Sequence, residues 1–280
     1  MTDLKGRLRS HLAEIVRERD AYLATAGHFF VRQYIRSQLT QWGTIEVHEF
    51  TEQGIVFENL ILNLPGTSPH KQPIIIGAHY DTVPGSPGAD DNGTGVAVLL
   101  ELARSLTEDP AKHPVRLIAF DLEETSYDKA GSTHYVRSLQ QQPIRLMLSL
   151  EMLGYCDRAP NSQRYPIDLL RRFYPDRGDF IGLIGNPQSI PDLIHLSHHI
   201  TKAGVACRWL PVPNQGRILP DTRRSDHAPF WDRGDRALMV TDTAHLRNPN
   251  YHKSSDRLET LDLDFLTGIC RGLISGIRYL

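Results

Sequence analysis

Short apolar runs that end on acidic residues or histidine constrain this chain more than any other feature of its sequence. Residues 73–78 run into His79, and residues 115–120 lead to the pair Glu123-Glu124. Residues 144–150 stop at Glu151, and residues 237–240 lead into the polar stretch 242–252. Each compact apolar run reads as a strand buried in a sheet. Strands are also expected at 44–50, 57–64, 180–184 and 208–211. Between and around them lie segments of helical spacing: 3–19, 27–42, 93–106, 131–141, 190–203, 227–233 and 263–279. The first carries Leu4, Leu8, Leu12, Ile15 and Val16 on one stripe. Gly43 is expected to stop the second, and Asn92 to cap the third.

Strands alternating with helices predict an α/β fold of three layers, α/β/α, around a central mixed, mostly parallel, twisted β-sheet. With 280 residues, 40% of them hydrophobic, the chain has the material for one large domain over residues 1–280. The helices within 1–43 are expected to pack on it through their apolar stripes. Ligands of such sheets bind beyond the carboxyl ends of the strands. His79, Glu123, Glu124, Glu151 and the stretch 242–252 all follow strand ends, so four strands aim metal-ligand chemistry at one rim.

A formal net charge of −2 with 23% charged residues points to neither nucleic acid nor an anionic membrane as partner. The amino terminus is charged throughout, and no stretch approaches the roughly 18–20 apolar residues of a membrane span. Cys156, Cys207 and Cys270 are odd in number and widely spaced, which predicts a reducing, cytoplasmic setting and no disulfide framework.

The polar positions can be weighed one by one. His79 and Asp81, two apart in an extended stretch, share a face, so His79 can bind a metal while Asp81 accepts its other ring proton. Asp91, at the Asp-Asn-Gly turn, can bridge two cations through its two oxygens; taken alone, it also reads as an ordinary polar loop. The Glu123-Glu124 pair needs a positive neighbour to offset its repulsion, or is a solvated acidic loop. Glu151, beside a buried strand, needs a metal or an arginine. His252 is one of 13 histidines, and loop histidines are usually surface residues.

Taken in order, the motifs G-A-H-Y-D-T, G-A-D-D-N-G-T-G, E-E followed by A-G-S, L-E-M-L-G, S-D-H-A-P-F and the late Y-H resemble the family 28 metallopeptidases. That group contains secreted bacterial leucyl aminopeptidases, glutamate carboxypeptidase II and the animal glutaminyl cyclases. The resemblance covers about 74–256 and implies a zinc-dependent exopeptidase-like fold with two zinc ions, or cobalt or manganese in their place. It implies His79 and Glu151 on one ion, Glu124 and His252 on the other, and Asp91 between them. Glu123 matches the general base, Asp81 the partner of His79, and Tyr251 a tyrosine that steadies the oxyanion. Asp226 matches a residue supporting the site from behind. The implied reaction is release of the first residue from a peptide or aminoacyl substrate with a free amino terminus.

Two positions depart from the family pattern. Glu151 stands where Asp is usual, and T-S-Y-D-K-A-G-S replaces the common loop after the base. Three other readings stay open: glutaminyl cyclisation with release of ammonia, a di-zinc carboxypeptidase or deacylase, and a non-catalytic binding domain. The deacylase family usually carries an inserted domain for which this chain has no room. Pocket walls are expected in 153–163, 213–224 and 243–250. Among them, Ile218 and Leu219 would favour a neutral or apolar first residue, and Arg217, Arg223 or Arg224 an acidic one. Oligomeric state is left open.

Overall fold

A computed structural model describes residues 3–280. Seven longer helices and eight strands follow in chain order: α1 (Leu4–Ile15), α2 (Thr25–Thr40), β1 (Ile45–Glu52), β2 (Ile55–Leu64), β3 (Ile74–His79), α3 (Gly95–Glu108), β4 (Val115–Phe120), α4 (Gly131–Leu139), β5 (Leu146–Glu151), β6 (Phe180–Gly185), α5 (Ile190–Lys202), β7 (Ala206–Pro211), α6 (Ala228–Arg233), β8 (Ala237–Thr241) and α7 (Leu263–Arg278). The strands form one sheet in the order β1-β2-β4-β3-β5-β8-β6-β7. Its centre, β4-β3-β5-β8, is parallel throughout; β1/β2, β2/β4 and β6/β8 are antiparallel. This is the mixed α/β architecture expected from the alternating pattern. No helix among the described residues is long and apolar enough to cross a membrane.

Strand alternation divides the core. On one face Ile74, Ile76, Leu117, Leu146, Leu148, Leu238 and Val240 pack with Leu8, Leu12, Val31, Ile35, Val96, Leu99, Leu196 and Leu273 from the helices. On the other face Ile75, Ile118, Phe120 and Met147 meet Tyr135, Phe230 and Trp231 of α4 and α6. A period of two then fixes where the polar strand ends point. His79 and Glu151 continue the rows of Ile75 and Met147, so both leave the sheet on the α4/α6 side.

Several element boundaries differ from the sequence expectation, each for a tertiary reason. Helix α1 stops at Ile15, not at 19, because residues 16–24 turn inward and bury Arg19 completely. Helix α2 starts at Thr25, two residues early. Strand β1 runs on to Glu52, where Gln53 and Gly54, both at positive φ, close a tight hairpin. The third helix begins at Gly95 after a wide irregular turn, Ala89–Thr94. Asn92 accepts from the Gly95 amide at 3.2 Å, but it also ties the turn to β5, donating to the Leu150 carbonyl at 2.8 Å.

Helices α5 and α7 approach so closely that a Cβ on Gly272 would lie 2.5 Å from the Cα of Ile200. Gly272→Ala is expected to lower stability by about 1–3 kcal/mol. Urea unfolding would show this as a lower midpoint at unchanged slope.

Candidate metal centre

Four parallel strands bring their carboxyl ends to one edge, and the polar residues that follow them converge there. His79 ends β3 and is fully buried. Glu123 and Glu124 lie just past β4, Glu151 ends β5, and His252 lies in the loop after β8. Asp91 comes from the irregular turn before α3, and only 3% of it is exposed.

The donor atoms form two clusters joined at Asp91. In the first, His79 Nε2 lies 3.4 Å from Asp91 Oδ1 and 3.5 Å from Glu151 Oε1. In the second, His252 Nε2 lies 3.2 Å from both Asp91 Oδ2 and Glu124 Oε2. Ligands on a tetrahedral zinc ion with bonds of about 2.0–2.1 Å sit about 3.3–3.4 Å apart. The separations match that edge, and the donors are the nitrogen and carboxylate oxygen that zinc takes. The longer Glu151 side chain reaches the same spacing. His79 Nε2, His252 Nε2 and Glu124 Oε1 are buried with no hydrogen-bond partner in the chain, an arrangement that costs free energy unless a further group satisfies it. The residues present therefore fit two divalent ions sharing Asp91.

A dense set of backbone contacts holds these side chains. Asp81 faces His79 Nδ1 at 3.4 Å, and its two oxygens accept the amides of Glu123 and Glu124, each at 3.1 Å. It thus orients the histidine and both glutamates at once. Asp256 accepts the amides of Asp90 and Asp91, fixing the turn that carries Asp91. Beyond Glu151, the amides of Met152, Leu153, Gly154 and Tyr155 are each held by a different side chain: Asn92, Thr94, Asp90 and Asp242. Leu122 and Met152, beside the glutamates, and His252 itself have φ between 50° and 58°. Side chains rarely take this conformation, and it persists where surrounding contacts over-determine it.

Glu123 Oε2 lies 4.0 Å from His79 Nε2 at the edge of the first cluster. Burial, with Glu151, Glu124 and Asp226 nearby, raises its carboxyl well above the usual range, despite the opposing pull of His79. The Tyr251 ring stacks on His252 at 3.7 Å, and its hydroxyl accepts from Arg224 Nη2 at 3.1 Å. Burial and the charges of Asp91 and Glu124 keep that hydroxyl protonated. Asp226 is buried beside the cluster with neither oxygen hydrogen-bonded. Its neighbour Ser225 donates through Oγ to Glu151 Oε2 at 2.6 Å.

Two clefts meet over the centre. One is lined by Asp91, Glu123, Glu124, Tyr127, Glu151, Arg224, Tyr251 and His252. The other shares Glu151, Arg224 and Tyr251 with it and is walled by Tyr165, Leu170, Tyr174, Phe180, Trp209, Leu210 and Met239. The expected walls are only partly right. Gln163, Asp221, Thr222 and residues 243–246 line this cleft, but Ile218 points to solvent, 64% exposed. Arg223 is taken up by Asp232 at 2.6 Å.

Arg19, Asp90, Ser225, Asp242 and Asp256 were not singled out from the sequence as supports of the site. Asp90 and Ser225 lie inside quoted motifs and Asp242 opens the polar stretch 242–252, so proximity was a usable signal. Arg19 sits in an amphipathic stretch that resembles any surface helix.

The chain matches the model described as Peptidase family M28 over residues 59–275. It is 39% identical over 215 residues to the uncharacterized protein YfbL of Escherichia coli K12, covering 72% of this chain and 65% of YfbL. Among solved structures, it is similar to BSAP, a zinc aminopeptidase from Bacillus subtilis, with 25% identity and a TM-score of 0.60 over 80% of this chain and 50% of that one. A glutaminyl cyclase from Macrostomum lignano shares the fold, with 18% identity and a TM-score of 0.72 over 98% of this chain and 87% of the cyclase.

The electrostatics make a testable statement about pH. Burial pushes Asp242 up to about 6, Asp226 and Asp256 to about 7 and, with Asp91 adding repulsion, Glu124 to about 8. Burial pulls His252 down, but Asp91 and Glu124 carry it up to about 9. All of these groups hold protons in the folded chain that they release in the unfolded one, so stability falls as pH rises from about 4, the ordinary carboxyl value, to about 9. Chelator-treated protein is expected to lose melting temperature across that window. Zinc, which needs deprotonated ligands, should add progressively more stability over it. Melting curves at each pH with and without zinc check both trends; flat profiles would contradict the assignment.

Proposed function

The chain belongs to peptidase family M28, and from that membership we propose that it is a zinc-dependent aminopeptidase, removing the first residue of peptides with a free amino terminus. The observation that carries this reading is Asp91, whose two oxygens face separate histidine–carboxylate clusters at 3.2–3.4 Å. That the similar Bacillus subtilis protein is a zinc aminopeptidase supports both the metal and the reaction. His79, Asp91 and Glu151 would hold one ion, and Asp91, Glu124 and His252 the other; cobalt or manganese suits the same donors. Zinc in such sites polarises the scissile carbonyl and lowers the pKa of the attacking water.

The side chains do the rest. Glu123, its backbone pinned by Asp81, takes a proton from the attacking water and returns it to the departing amine. Asp81 acts as a positioning residue for the base and for two ligands together. Because Arg224 donates to the Tyr251 oxygen, the tyrosine's own proton is free to point at the substrate carbonyl as it gains negative charge. The acidic rim of Glu123, Glu124 and Glu151 suits a free α-ammonium group. Three unpaired thiols, Cys156, Cys207 and Cys270, agree with work in a reducing compartment such as the cytoplasm.

An apolar cleft with a few polar groups at its edge, the composition of small-molecule sites, lies beside Glu151. Its aromatic and aliphatic walls suit a large apolar first side chain. Burying a Leu or Phe contributes about 1.5–3 kcal/mol, or about 10–100-fold in kcat/KM over a charged residue.

Two outcomes are expected. A mixed pool of peptides followed by mass spectrometry should lose amino-terminal Leu and Phe before Glu or Lys, and acetylated peptides should persist. Loss of ammonia from amino-terminal Gln peptides alone would replace this reading with cyclisation. Glu123→Gln should lower kcat by about 10²–10⁴-fold at unchanged zinc content. Full activity in that variant would remove Glu123 from its role.

A further inference from the structure

The segment matched to the family begins at residue 59, yet residues before it reach the metal centre. Arg19, between α1 and α2, is completely buried beneath the centre, and its side-chain hydrogen bonds all go to backbone carbonyls. Its Nε donates to Tyr80 O at 2.7 Å, Nη1 to Pro87 O at 2.7 Å and Nη2 to Gly88 O at 2.9 Å. Its own amide donates to Thr82 Oγ1 at 3.0 Å. Tyr80 lies between His79 and Asp81, and Gly88 lies three residues before Asp91. One planar fork therefore joins the two ends of the connection between β3 and the turn of Asp91, from which two residues of the first cluster come.

A plainer role would be to cap the end of α1, since Nη1 also approaches Ile15 O and Arg17 O. Those contacts are 3.5 and 3.2 Å, weaker than the three to the site loops. Charge favours the same choice. Burial pushes the guanidinium down to about 10, while Asp91, Asp256, Asp81 and Glu124 hold it up, so it remains a cation at neutral pH. Sterics favour it too. Gly88 has φ +59°, and a Cβ there would lie 2.8 Å from Arg19 Nη1 and 2.3 Å from Asp91 O.

We propose that Arg19 is a positioning residue that clamps the end of β3, at His79, to the turn of Asp91 and sets the separation at which the two share a metal ion. The proposal rests on the reading of those residues as zinc ligands. Arg19→Lys keeps the charge and loses the fork; Arg19→Met loses both.

Supporting groups of this kind are worth about 10–100-fold in metal affinity or activity. Calorimetric zinc titration is expected to show a loss of that size in Arg19→Lys and a larger one in Arg19→Met. At saturating zinc, kcat should fall about tenfold or more with KM within about twofold, and the visible bands of the cobalt-loaded protein should shift. Folded variants with wild-type zinc affinity, spectrum and kcat would overturn the proposal.

If neither variant folds, the unaltered protein decides. Coupling between binding and positioning is reciprocal, so zinc must slow hydrogen exchange at the Arg19 amide. An unchanged exchange rate there would equally overturn the proposal. Wild-type protein that binds zinc but cleaves no peptide would remove the peptidase reading and leave the affinity test of Arg19 standing. Wild-type protein that binds no divalent metal overturns both.

Discussion

Mutual repulsion among carboxylates at one buried rim is the constraint on which the rest of this structure depends. Asp81, Asp90, Asp91, Glu151, Asp226, Asp242 and Asp256 are all buried there, with Glu123 and Glu124 partly so. Gathering so many acids away from water is unfavourable unless backbone amides, protons or cations meet them. Amides meet several of these carboxylates: Asp81 takes two, Asp256 takes two, and Asp90 and Asp242 hold the chain beyond Glu151, while Asp226 takes none. Donor atoms of His79, Asp91, Glu124, Glu151 and His252 face one another across the rim at the spacing of zinc ligands.

The sheet makes this division possible. Parallel β4, β3, β5 and β8 end together, and the period of two puts His79 and Glu151 on the face that α4 and α6 leave open above Trp231 and Phe230. Helices α1 and α2 pack on the opposite face, which is how Arg19 and His28 arrive behind the rim. His28 meets Asp121 at 2.7 Å, and Asp121 also accepts from the Tyr80 hydroxyl at 2.6 Å. The amino-terminal segment thus backs the residues around His79 and Asp91 from the side opposite the cleft.

The parts of this arrangement carried by local pattern are legible in the sequence. Apolar runs that stop at His79 or Glu151 or lead to Glu123-Glu124 mark strand ends, and alternation with helices marks the sheet, because both follow from short-range periodicity. What depends on distant contacts is not. The end of α1 at Ile15 follows from Arg19 reaching Tyr80, Pro87 and Gly88, which no local spacing announces. Asp81 reads as a partner of His79, while its hold on the Glu123 and Glu124 amides comes from β3 and β4 lying side by side. The apolar cleft is built by Trp209, Phe180 and Met239 from three strands, whereas Ile218, nearer in sequence to the site motifs, faces water.

The central claim is that Asp91 joins two cation sites. Zinc content per chain, measured by elemental mass spectrometry after exhaustive dialysis at about neutral pH, tests it most directly. The account predicts two zinc ions per wild-type chain, one in His252→Ala, and none retained in Asp91→Ala. One ion or none in the wild type, or two ions surviving in Asp91→Ala, would contradict it.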